Sequence, residues 1–366
     1  MKHLASTTAL IVVTAVPAFA AGVERNNQSV AVLFEQGRYL EFGGTFGSPD
    51  VSGVGSPTSP TPGASSGDMT ESYFSFGAAY KADLNDTWSY AVIFNQPYGA
   101  DVAYPTGTGY FAQGSTATLD TNALTGIIQY NMPSNVSLYA GVRGQTLSAE
   151  ATVPFVADYS VVGDRDLAFG WLAGVAYEKP ELALRVSLTY NSEIEHSLDT
   201  EETSLAGSGP STTEITAPQS LHLEFQSGVA EDTLVFGSVK WVDWTEFAIA
   251  PAIYTGALVG APLVSYADDR TTFTLGVGRR LSDVWSVAAS VSYEDHTGSL
   301  TGNLGPTDGQ LGATLGATYT RGNMKLTGGV SYVDVGDART NVGGAVGGIF
   351  DDNTAWGAGL KVGYTF

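Results

Sequence analysis

The 366-residue chain contains no cysteine. This absence excludes a disulfide framework, a thiolate metal site and a cysteine nucleophile. Basic residues are also scarce, with 16 Lys and Arg against 37 Asp and Glu and a formal net charge of −21. Nucleic-acid binding needs a basic footprint, so we expect no nucleic-acid partner. The acidity fits either the solubility of an exported protein or a role in cation binding, and the sequence leaves both open.

A long apolar run is missing beyond the first twenty residues. Residues 1–20 combine a short basic start, an apolar core from Ala9 to Pro17 and the small-x-small sequence Ala18-Phe19-Ala20. This pattern predicts a signal peptide. Downstream, no apolar run approaches the roughly 18 residues that a membrane-spanning helix needs. We therefore expect an exported chain without a helical anchor, which leaves a periplasmic protein, a secreted protein or an outer-membrane barrel.

What the chain does contain is strand-like alternation, clearest in its last eleven residues. Trp356, Leu360, Tyr364 and Phe366 fall on one face of a strand, whereas Lys361 and several small residues fall on the other. Successive strand side chains point to opposite faces. An apolar face with aromatic residues near both ends is typical of the closing strand of an outer-membrane barrel. The 45 glycines, 18 tyrosines and 16 phenylalanines agree with crowded faces and aromatic girdles.

Tight turns and longer connections alternate along the chain. Turn residues of the Gly, Pro, Asn and Asp type occur at 84–86, 133–135, 179–181, 231–232, 282–283 and 322–323. Longer connections span 48–68, 106–115, 154–164, 199–214, 248–266, 297–309 and 338–351. Six turns and seven loops join fourteen strands, and this sorting by length describes a bacterial outer-membrane barrel. The predicted fold class is all-β, a transmembrane antiparallel β-barrel of about 14 strands in the bacterial outer membrane.

The N-terminal part of the mature chain is predicted to lie inside this barrel. Residues 21–36 precede a first strand expected from Gly37 to Phe46, and their middle, Val30 to Phe34, is apolar. Outside a barrel this segment would face water, so we expect a short plug in the lumen; the alternative is a disordered tail. The predicted domains are a signal peptide (1–20), an N-terminal hatch (21–36) and a barrel (37–366).

Several motifs resemble the FadL/TodX family of outer-membrane transporters for long-chain fatty acids and other hydrophobic molecules. The residues that carry the resemblance are Trp241-Val242-Asp243-Trp244-Thr245-Glu246-Phe247, Ala217-Pro218-Gln219-Ser220-Leu221, Tyr266-Ala267-Asp268-Asp269-Arg270-Thr271, Gln28-Ser29-Val30 and Gly37-Arg38-Tyr39-Leu40-Glu41. The N-terminal ones are similar to short-hatch alphaproteobacterial members. The chain departs from the family in one place, since Asn26-Asn27-Gln28-Ser29 stands where many members have Asn-Pro-Ala.

The resemblance implies a monomeric barrel with a hatch, from which substrate leaves sideways beside an inward kink of the third strand. Here that strand runs from Trp88 to Tyr104 and contains Gln96, Pro97, Tyr98 and Gly99. A mid-strand proline cannot donate a ladder hydrogen bond, and glycine tolerates unusual backbone angles. Pro97 and Gly99 therefore predict a break in the wall on physical grounds; an ordinary bulge is the alternative.

A fatty acid needs a cation or donor for its carboxylate and an apolar slot for its tail. Lumen-facing Arg143 and Lys240 are expected near mid-height, and Arg185 nearer the short-turn end. Lys325 and Lys361 are also expected near the short-turn end. Each of these basic residues can instead form an ion pair in the lumen, for example with Glu224 or Glu294. The hatch residues Val32, Leu33 and Phe34 are candidates for apolar contact. The apolar loop from Ala248 to Tyr266, with Ile253, Tyr254 and Leu258, is a candidate external capture site.

Two other function classes have weaker support in the sequence. A diffusion porin would want a charged constriction, which 14% charged residues and a plug-like N-terminus disfavour. A surface hydrolase could use Asp295-His296, Asp268-Asp269 or His222, but sequence neighbours on a strand point apart. We expect no enzyme activity, no cofactor and no metal site. The expected partners are hydrophobic small molecules, outer-membrane lipid and lipopolysaccharide; Ca²⁺ at the acidic loops has no diagnostic ligand spacing.

Overall fold

The computed structural model describes residues 22–366, so the predicted signal peptide lies outside the described residues. The strands are β1 (Tyr39–Asp50), β2 (Val54–Gly55), β3 (Tyr73–Asp83), β4 (Trp88–Asn95), β5 (Gly99–Ala103), β6 (Thr116–Asn131), β7 (Val136–Val153), β8 (Tyr159–Lys179), β9 (Leu184–Asn191), β10 (Ile194–Ser204), β11 (Gly207–Ala217), β12 (Ser220–Ala230), β13 (Thr233–Val242), β14 (Ala248–Ile249), β15 (Val264–Ser265), β16 (Arg270–Arg280), β17 (Trp285–Glu294), β18 (Leu300–Thr301), β19 (Gln310–Arg321), β20 (Met324–Val335), β21 (Ala338–Val342), β22 (Ala345–Phe350) and β23 (Asn353–Thr365).

Helical structure is confined to short pieces in the described part of the chain. They are Ala31–Phe34, Pro180–Leu182, Trp244–Glu246 and Tyr254–Val259. From residue 22 onward, no helix is both long enough and apolar enough to cross a bilayer.

The main sheet closes on itself. Strand β1 pairs antiparallel with β3 on one side and with β23 on the other, so that Tyr39 faces both Lys81 and Thr365. The sheet contains 17 strands, but β4 and β5, β9 and β10, and β11 and β12 are consecutive parts of single wall strands. The wall therefore has fourteen strands, as the sequence predicted. Closure pairs the first and last strands of the wall with each other, which removes the free end strands that a β-structure in lipid cannot leave exposed.

The strands alternate between the two faces as expected. On β17, Trp285, Val291 and Tyr293 lie on the exposed outer face, whereas Ser286 and Glu294 are buried inside. On β23, large apolar residues likewise point outward. The outer face thus carries a continuous apolar band, while the inner face carries many polar and small residues together with the apolar clusters described below.

The two ends of the barrel differ in the predicted way. Short turns at 84–87, 132–135, 180–183, 231–232, 281–284 and 322–323 close one end, and the longer connections lie at the other. Three boundaries were predicted wrongly. Strand β1 begins at Tyr39 rather than Gly37 and extends to Asp50. The expected loops 154–164 and 199–214 are largely strand, because β7 and β8 are joined by residues 154–158 and β10 pairs with β11.

The β10–β11 hairpin was missed because its outer face is acidic. Ile194, His196 and Leu198 are buried on the inner face. The alternate residues Glu195 and Asp199 are exposed on the outer face. This is strand alternation above the apolar band, where the outer face meets water. Polarity alone therefore suggested a loop.

Two apolar clusters fill the interior at different heights. Toward the long-loop end, Ile194, Leu198 and Ile215 of the β10–β11 hairpin pack with Trp244 and Phe247. Nearer the short turns, the helix Ala31–Phe34 packs against inward-facing wall residues that include Tyr39, Ala79, Ile127, Tyr139 and Leu172. Both clusters are reached by the N-terminal segment, which we define as residues 22–38.

The outer apolar band yields a stability prediction. Leu360 lies midway along β23 and is 55% exposed on the outer face. In lipid, Leu360→Arg should lower the free energy of unfolding by about 2–4 kcal/mol, because a charge at the bilayer midplane is costly. The free energy of unfolding is measured by urea titration in lipid vesicles, followed by tryptophan emission. The control is Leu205→Arg, at the exposed tip of the β10–β11 hairpin, which should change stability by less than about 0.5 kcal/mol. Equal effects would contradict the placement of the band.

Candidate functional site

The third wall strand is interrupted between β4 and β5. Strand β4 ends at Asn95 and β5 begins at Gly99, and we call residues 96–98 the wall break. The β3–β4 register stops at Ala78 opposite Phe94, although β3 itself continues to Tyr73 against β1. Above Ala78, therefore, the hydrogen-bonded ladder between β3 and β4 stops. This is the position at which Pro97 predicted a break.

Side chains replace part of the missing ladder on both flanks. The Tyr98 N–H donates to Thr121 Oγ1 at 2.9 Å, and Thr121 Oγ1 donates to the Tyr98 carbonyl at 2.6 Å. The Phe76 N–H donates to Gln96 Oε1 at 2.9 Å, while Gln96 Nε2 donates to Asn122 Oδ1 at 3.2 Å. The Gln96 side chain thus spans the break from β3 to β6.

The N-terminal segment takes the place of a neighbouring strand inside the break. The Arg25 N–H donates to the Pro97 carbonyl at 2.9 Å, and the Gly99 N–H donates to the Val23 carbonyl at 2.8 Å. Glu24 and Tyr98 form the antiparallel bridge between these bonds. The break is therefore covered from within by a short, separable piece of backbone.

The Arg25 side chain fills the space beside this bridge. Its guanidinium lies 4.2 Å from the centre of the Tyr73 ring on β3 and forms an ion pair with Asp101 on β5. A Cβ on Gly99 would lie 2.6 Å from the guanidinium. As the side chains stand, Gly99 leaves room for the Arg25 guanidinium. The backbone reason given for Gly99 from the sequence was wrong, because Gly99 is not among the residues with positive φ.

A small apolar pocket lies above the N-terminal segment, toward the long loops. It encloses about 50 Å³. Its walls come from the barrel strands and from the apolar loop, and they include Val23, Ala100, Leu119, Leu198, Ile215, Ile249, Pro251, Leu263 and Val264. Val23 and Ala100 adjoin the wall break, so the pocket ends where the break begins.

The apolar loop is anchored by the carboxylate of Glu202. The N–H groups of Ile253 and Tyr254 donate to it at 3.0 and 3.1 Å, and Tyr159 Oη donates at 2.8 Å. Burial raises the pKa of Glu202, but these donors, with the Ser211 hydroxyl, outweigh it and hold the pKa below its ordinary value.

The predicted capture residues are only partly external. Tyr254 is buried and its ring packs against Tyr159, with 4.9 Å between centroids. Ile253 and Leu258 are half-buried, and Leu258 packs against the same cluster. Val259, which the sequence reading did not select as a site residue, is 45% exposed at the loop surface.

The three basic candidates all contact the N-terminal segment. Arg143 donates to Thr125 Oγ1 at 3.0 Å, to Asn191 Oδ1 at 3.1 Å and to Gln28 Oε1. Lys240 forms an ion pair with Glu24 and donates to the Asn27 carbonyl at 3.3 Å. The Arg185 guanidinium lies 4.4 Å from the centre of the Phe34 ring.

The acidic residues named as alternative partners have other contacts as well. Glu224 accepts from Ser29 Oγ at 2.7 Å, and Glu294 accepts from Thr272 Oγ1 at 2.9 Å. Lower in the barrel, Lys325 pairs with Glu35 at 2.7 Å and Lys361 pairs with Glu41 at 3.1 Å.

The apolar candidates of the N-terminal segment lie in the lower interior cluster. Val32 and Leu33 are buried, and the Phe34 ring meets Tyr139 edge-on at 6.4 Å. These residues therefore face the barrel interior.

The acid and histidine pairs considered for hydrolysis do not combine into one site. Asp295 accepts from Tyr293 Oη, whereas His296 lies 3.0 Å from Asp308. Asp308 also pairs with Arg270 at 2.7 Å and accepts hydrogen bonds from the Thr297 and Gly298 N–H groups. These contacts hold the loop in place. Among residues 22–366, no group of three or more His, Asp or Glu side chains is placed to hold a metal.

The sequence reading missed Arg25, Asp101, Tyr73 and Glu202. Each works through a partner that is distant in sequence, such as Arg25 with Asp101 or Glu202 with Ile253. No local pattern marks such pairs. Of these four residues, only Arg25 could have been identified from the sequence, since it is a basic residue in a segment expected to lie inside the barrel.

Comparison with known proteins supplies the family context. The family model described as outer membrane protein transport protein (OMPP1/FadL/TodX) matches residues 63–366. A FadL homologue from Pseudomonas aeruginosa has a similar structure, with a TM-score of 0.74, 16% identity and 91% of each chain covered. The P. putida toluene transporter TodX has a TM-score of 0.64 and 14% identity, with 92% of each chain covered. The Ralstonia pickettii toluene transporter TbuX has a TM-score of 0.62 and 13% identity, with 91% of this chain and 90% of the transporter covered.

No curated protein matches the sequence. At such low identities, the structural similarity shows the fold.

The Glu202 anchor yields a prediction that includes its pH dependence. Glu202→Gln should speed hydrogen exchange of the Ile253 and Tyr254 amides by about tenfold, because neutral acceptors bind N–H groups less strongly than carboxylates. Since the folded-state pKa is lowered, the wild-type anchor is present above the ordinary carboxyl pKa. It should weaken only as the pH falls below about 4.

The matched control for this prediction is Glu201→Gln. Glu201 is the exposed neighbour on the opposite face of β10. It should leave the exchange of both amides unchanged, and an equal acceleration in both variants would contradict an anchor at Glu202.

Proposed function

The chain belongs to the outer-membrane transport family OMPP1/FadL/TodX, and we propose that it takes up hydrophobic molecules, above all long-chain fatty acids, by passive diffusion. It lies in the bacterial outer membrane. In this proposal substrate passes from the long-loop end to the interior and leaves sideways through the wall break. The barrel acts as a monomer, surrounded by outer-membrane lipid and lipopolysaccharide, and it carries out no chemistry.

The observation that carries the proposal is the wall break itself. A continuous ladder cannot open in lipid without exposing several backbone groups, each at a cost of several kcal/mol. At the break, the Gln96 side chain and the N-terminal segment supply the partners instead. Moving them aside opens a path to the membrane while the ladders of the rest of the wall remain intact.

The apolar pocket supports a route that leads to this break. Its lining is mostly apolar, with Thr118, Thr200, Thr213 and Glu150 among the polar exceptions, and it ends at Val23 and Ala100 beside the break. A hydrocarbon chain gains about 0.8 kcal/mol for each CH₂ that it buries. In this proposal the pocket under the apolar loop is a stage between external capture at Leu258 or Val259 and lateral release.

Of the three basic candidates, Arg143 suits a carboxylate best. At Lys240 an incoming carboxylate must displace another carboxylate, that of Glu24. At Arg143 it would replace the neutral amide oxygen of Gln28 with a charged acceptor, and charge-assisted bonds are roughly twice as strong. Arg185 is stacked on Phe34, which supports a role in positioning the N-terminal segment. We assign head-group binding to Arg143, with Lys240 and Arg185 as weaker candidates.

The porin alternative is less well supported by the interior. The N-terminal segment crosses the lumen and is tied to the wall through Lys240, Arg143 and Lys325. A diffusion pore would need this space open. The hydrolase alternative finds no nucleophile and base in contact among the candidates.

Restoring a regular strand at the break tests the lateral route. We expect the triple variant Gln96→Thr, Pro97→Val, Gly99→Val to abolish uptake of a labelled long-chain fatty acid, because a continuous ladder would close the exit. Heat-modifiable electrophoretic mobility verifies that the barrel folds. Pro154→Val, in the distant β7–β8 connection, serves as the control and should transport normally. Unchanged uptake by a folded triple variant would refute lateral release.

Removing the charge at Arg143 tests the substrate class. Arg143→Gln should weaken fatty-acid binding about tenfold, which corresponds to roughly 1.4 kcal/mol for one charge-assisted bond. It should leave uptake of an uncharged aromatic hydrocarbon unchanged. Arg185→Gln is the matched control and should affect fatty-acid binding less. Equal loss for acid and hydrocarbon would contradict head-group binding at Arg143.

A further inference from the structure

A larger cavity lies below the wall break, in the half of the barrel nearer the short turns. It encloses about 780 Å³. Its lining includes Ser75 of β3 and Asn95 of β4, which face inward, and Asn26 of the N-terminal segment. It also includes Phe76 and Phe94, which alternation places on the outer face of the same strands. The cavity therefore reaches the wall where the β3–β4 ladder ends.

Two buried polar atoms at this place lack a hydrogen-bond partner among the residues that the structure describes. They are Ser75 Oγ and Asn95 Oδ1, and each residue is 6% exposed. A buried polar atom left unpaired costs about 1–3 kcal/mol, so such atoms normally have a partner. Both residues line the cavity, which makes a cavity occupant the natural partner.

The orientation of the Asn95 amide defines what that occupant must supply. Asn26 Oδ1 accepts from the Gln28 N–H at 2.8 Å, which fixes the Asn26 amide. Asn95 must then turn its Nδ2 toward Asn26 Oδ1, 3.5 Å away, because two amide oxygens would repel. Its Oδ1 is left as an acceptor without a donor. Ser75 Oγ can either donate or accept.

We propose that Ser75 and Asn95 form a subsite for an uncharged, hydroxyl-bearing head group, that of an alcohol or an un-ionised carboxylic acid. Such a group donates its O–H to Asn95 Oδ1 and accepts from the Ser75 hydroxyl. A carboxylate has no proton to donate and leaves Asn95 unpaired. The subsite rests on the proposed transport function and adds to it the protonation state in which an amphiphile leaves.

The surroundings of the subsite agree with this chemistry. The ring centroids of Phe76 and Phe94 lie 6.2 Å apart on the outer side of the wall, and the two rings offer a surface for the hydrocarbon tail. Leaving as a neutral molecule also avoids the cost of carrying a charge into the bilayer. An acid held as an anion at Arg143 would therefore take up one proton from a hydronium ion of the solvent, releasing water, before it reaches Ser75 and Asn95.

Photolabelling of the full chain in detergent tests the subsite. Three aliphatic diazirine probes of equal length carry a hydroxyl, a carboxylate or a methyl group next to the diazirine. At pH 8, the hydroxyl probe should label β3 and β4 about fivefold more than either other probe, the effect of one hydrogen bond. Below about pH 4 the carboxylate probe should gain the same labelling, because its carboxylate becomes protonated.

Two variants and a control localise the effect. Ser75→Ala and Asn95→Leu should each remove the preference for the hydroxyl probe. Ser89→Ala is the matched control: Ser89 is buried and inward-facing on β4, but its Oγ already donates to Gln129 at 3.1 Å. It should leave the preference unchanged.

The outcomes separate this inference from the proposed function. Equal labelling by the hydroxyl and methyl probes, or a preference unaffected by Ser75→Ala and Asn95→Leu, overturns the subsite and points to water as the occupant. Stronger labelling by the carboxylate probe at pH 8 also overturns it. If the methyl probe still labels the apolar pocket, hydrophobic transport stands. If no probe labels the interior, both proposals are wrong.

Discussion

The structure depends on the rule that backbone polar groups in lipid must find partners within the protein. Fourteen wall strands meet this rule by closing on themselves. Residues 96–98 are the place where the ladder is replaced by a glutamine side chain, a threonine hydroxyl and a piece of the N-terminal segment. Because those partners are side chains and a separate backbone segment, the same rule that makes the barrel stable also marks the place where we propose that it opens.

The N-terminal segment is held by polar contacts along its length. Glu24 pairs with Lys240, Gln28 with Arg143 and Glu35 with Lys325. Buried ion pairs contribute little net stability, since desolvation offsets much of their attraction, but they define position. These contacts therefore fix the position of the segment without binding it strongly, which fits the proposed route, in which the segment moves aside.

Two polar environments lie along the proposed route, and they differ in charge. Arg143 sits where a carboxylate can replace an amide oxygen. Asn95, at the end of the β3–β4 ladder, offers an acceptor that only a donor satisfies. A fatty acid that meets both in turn would be an anion at the first and a neutral acid at the second. This order matches the change from the wet lumen to the hydrocarbon of the bilayer.

Local pattern determined much of this protein. Period-two alternation and turn residues predicted the strand count, the two unlike ends and the outward aromatic residues, because the bilayer imposes them on each strand separately. Pro97 predicted the break, since a missing N–H is a property of one residue. Tertiary structure decided what covers the break. Arg25 meets Tyr73 and Asp101, and Gly99 makes room for it, through contacts between segments that no local pattern links. It also decided that the acidic β10–β11 hairpin is strand, because the apolar partners of its inner face become neighbours only when the barrel closes.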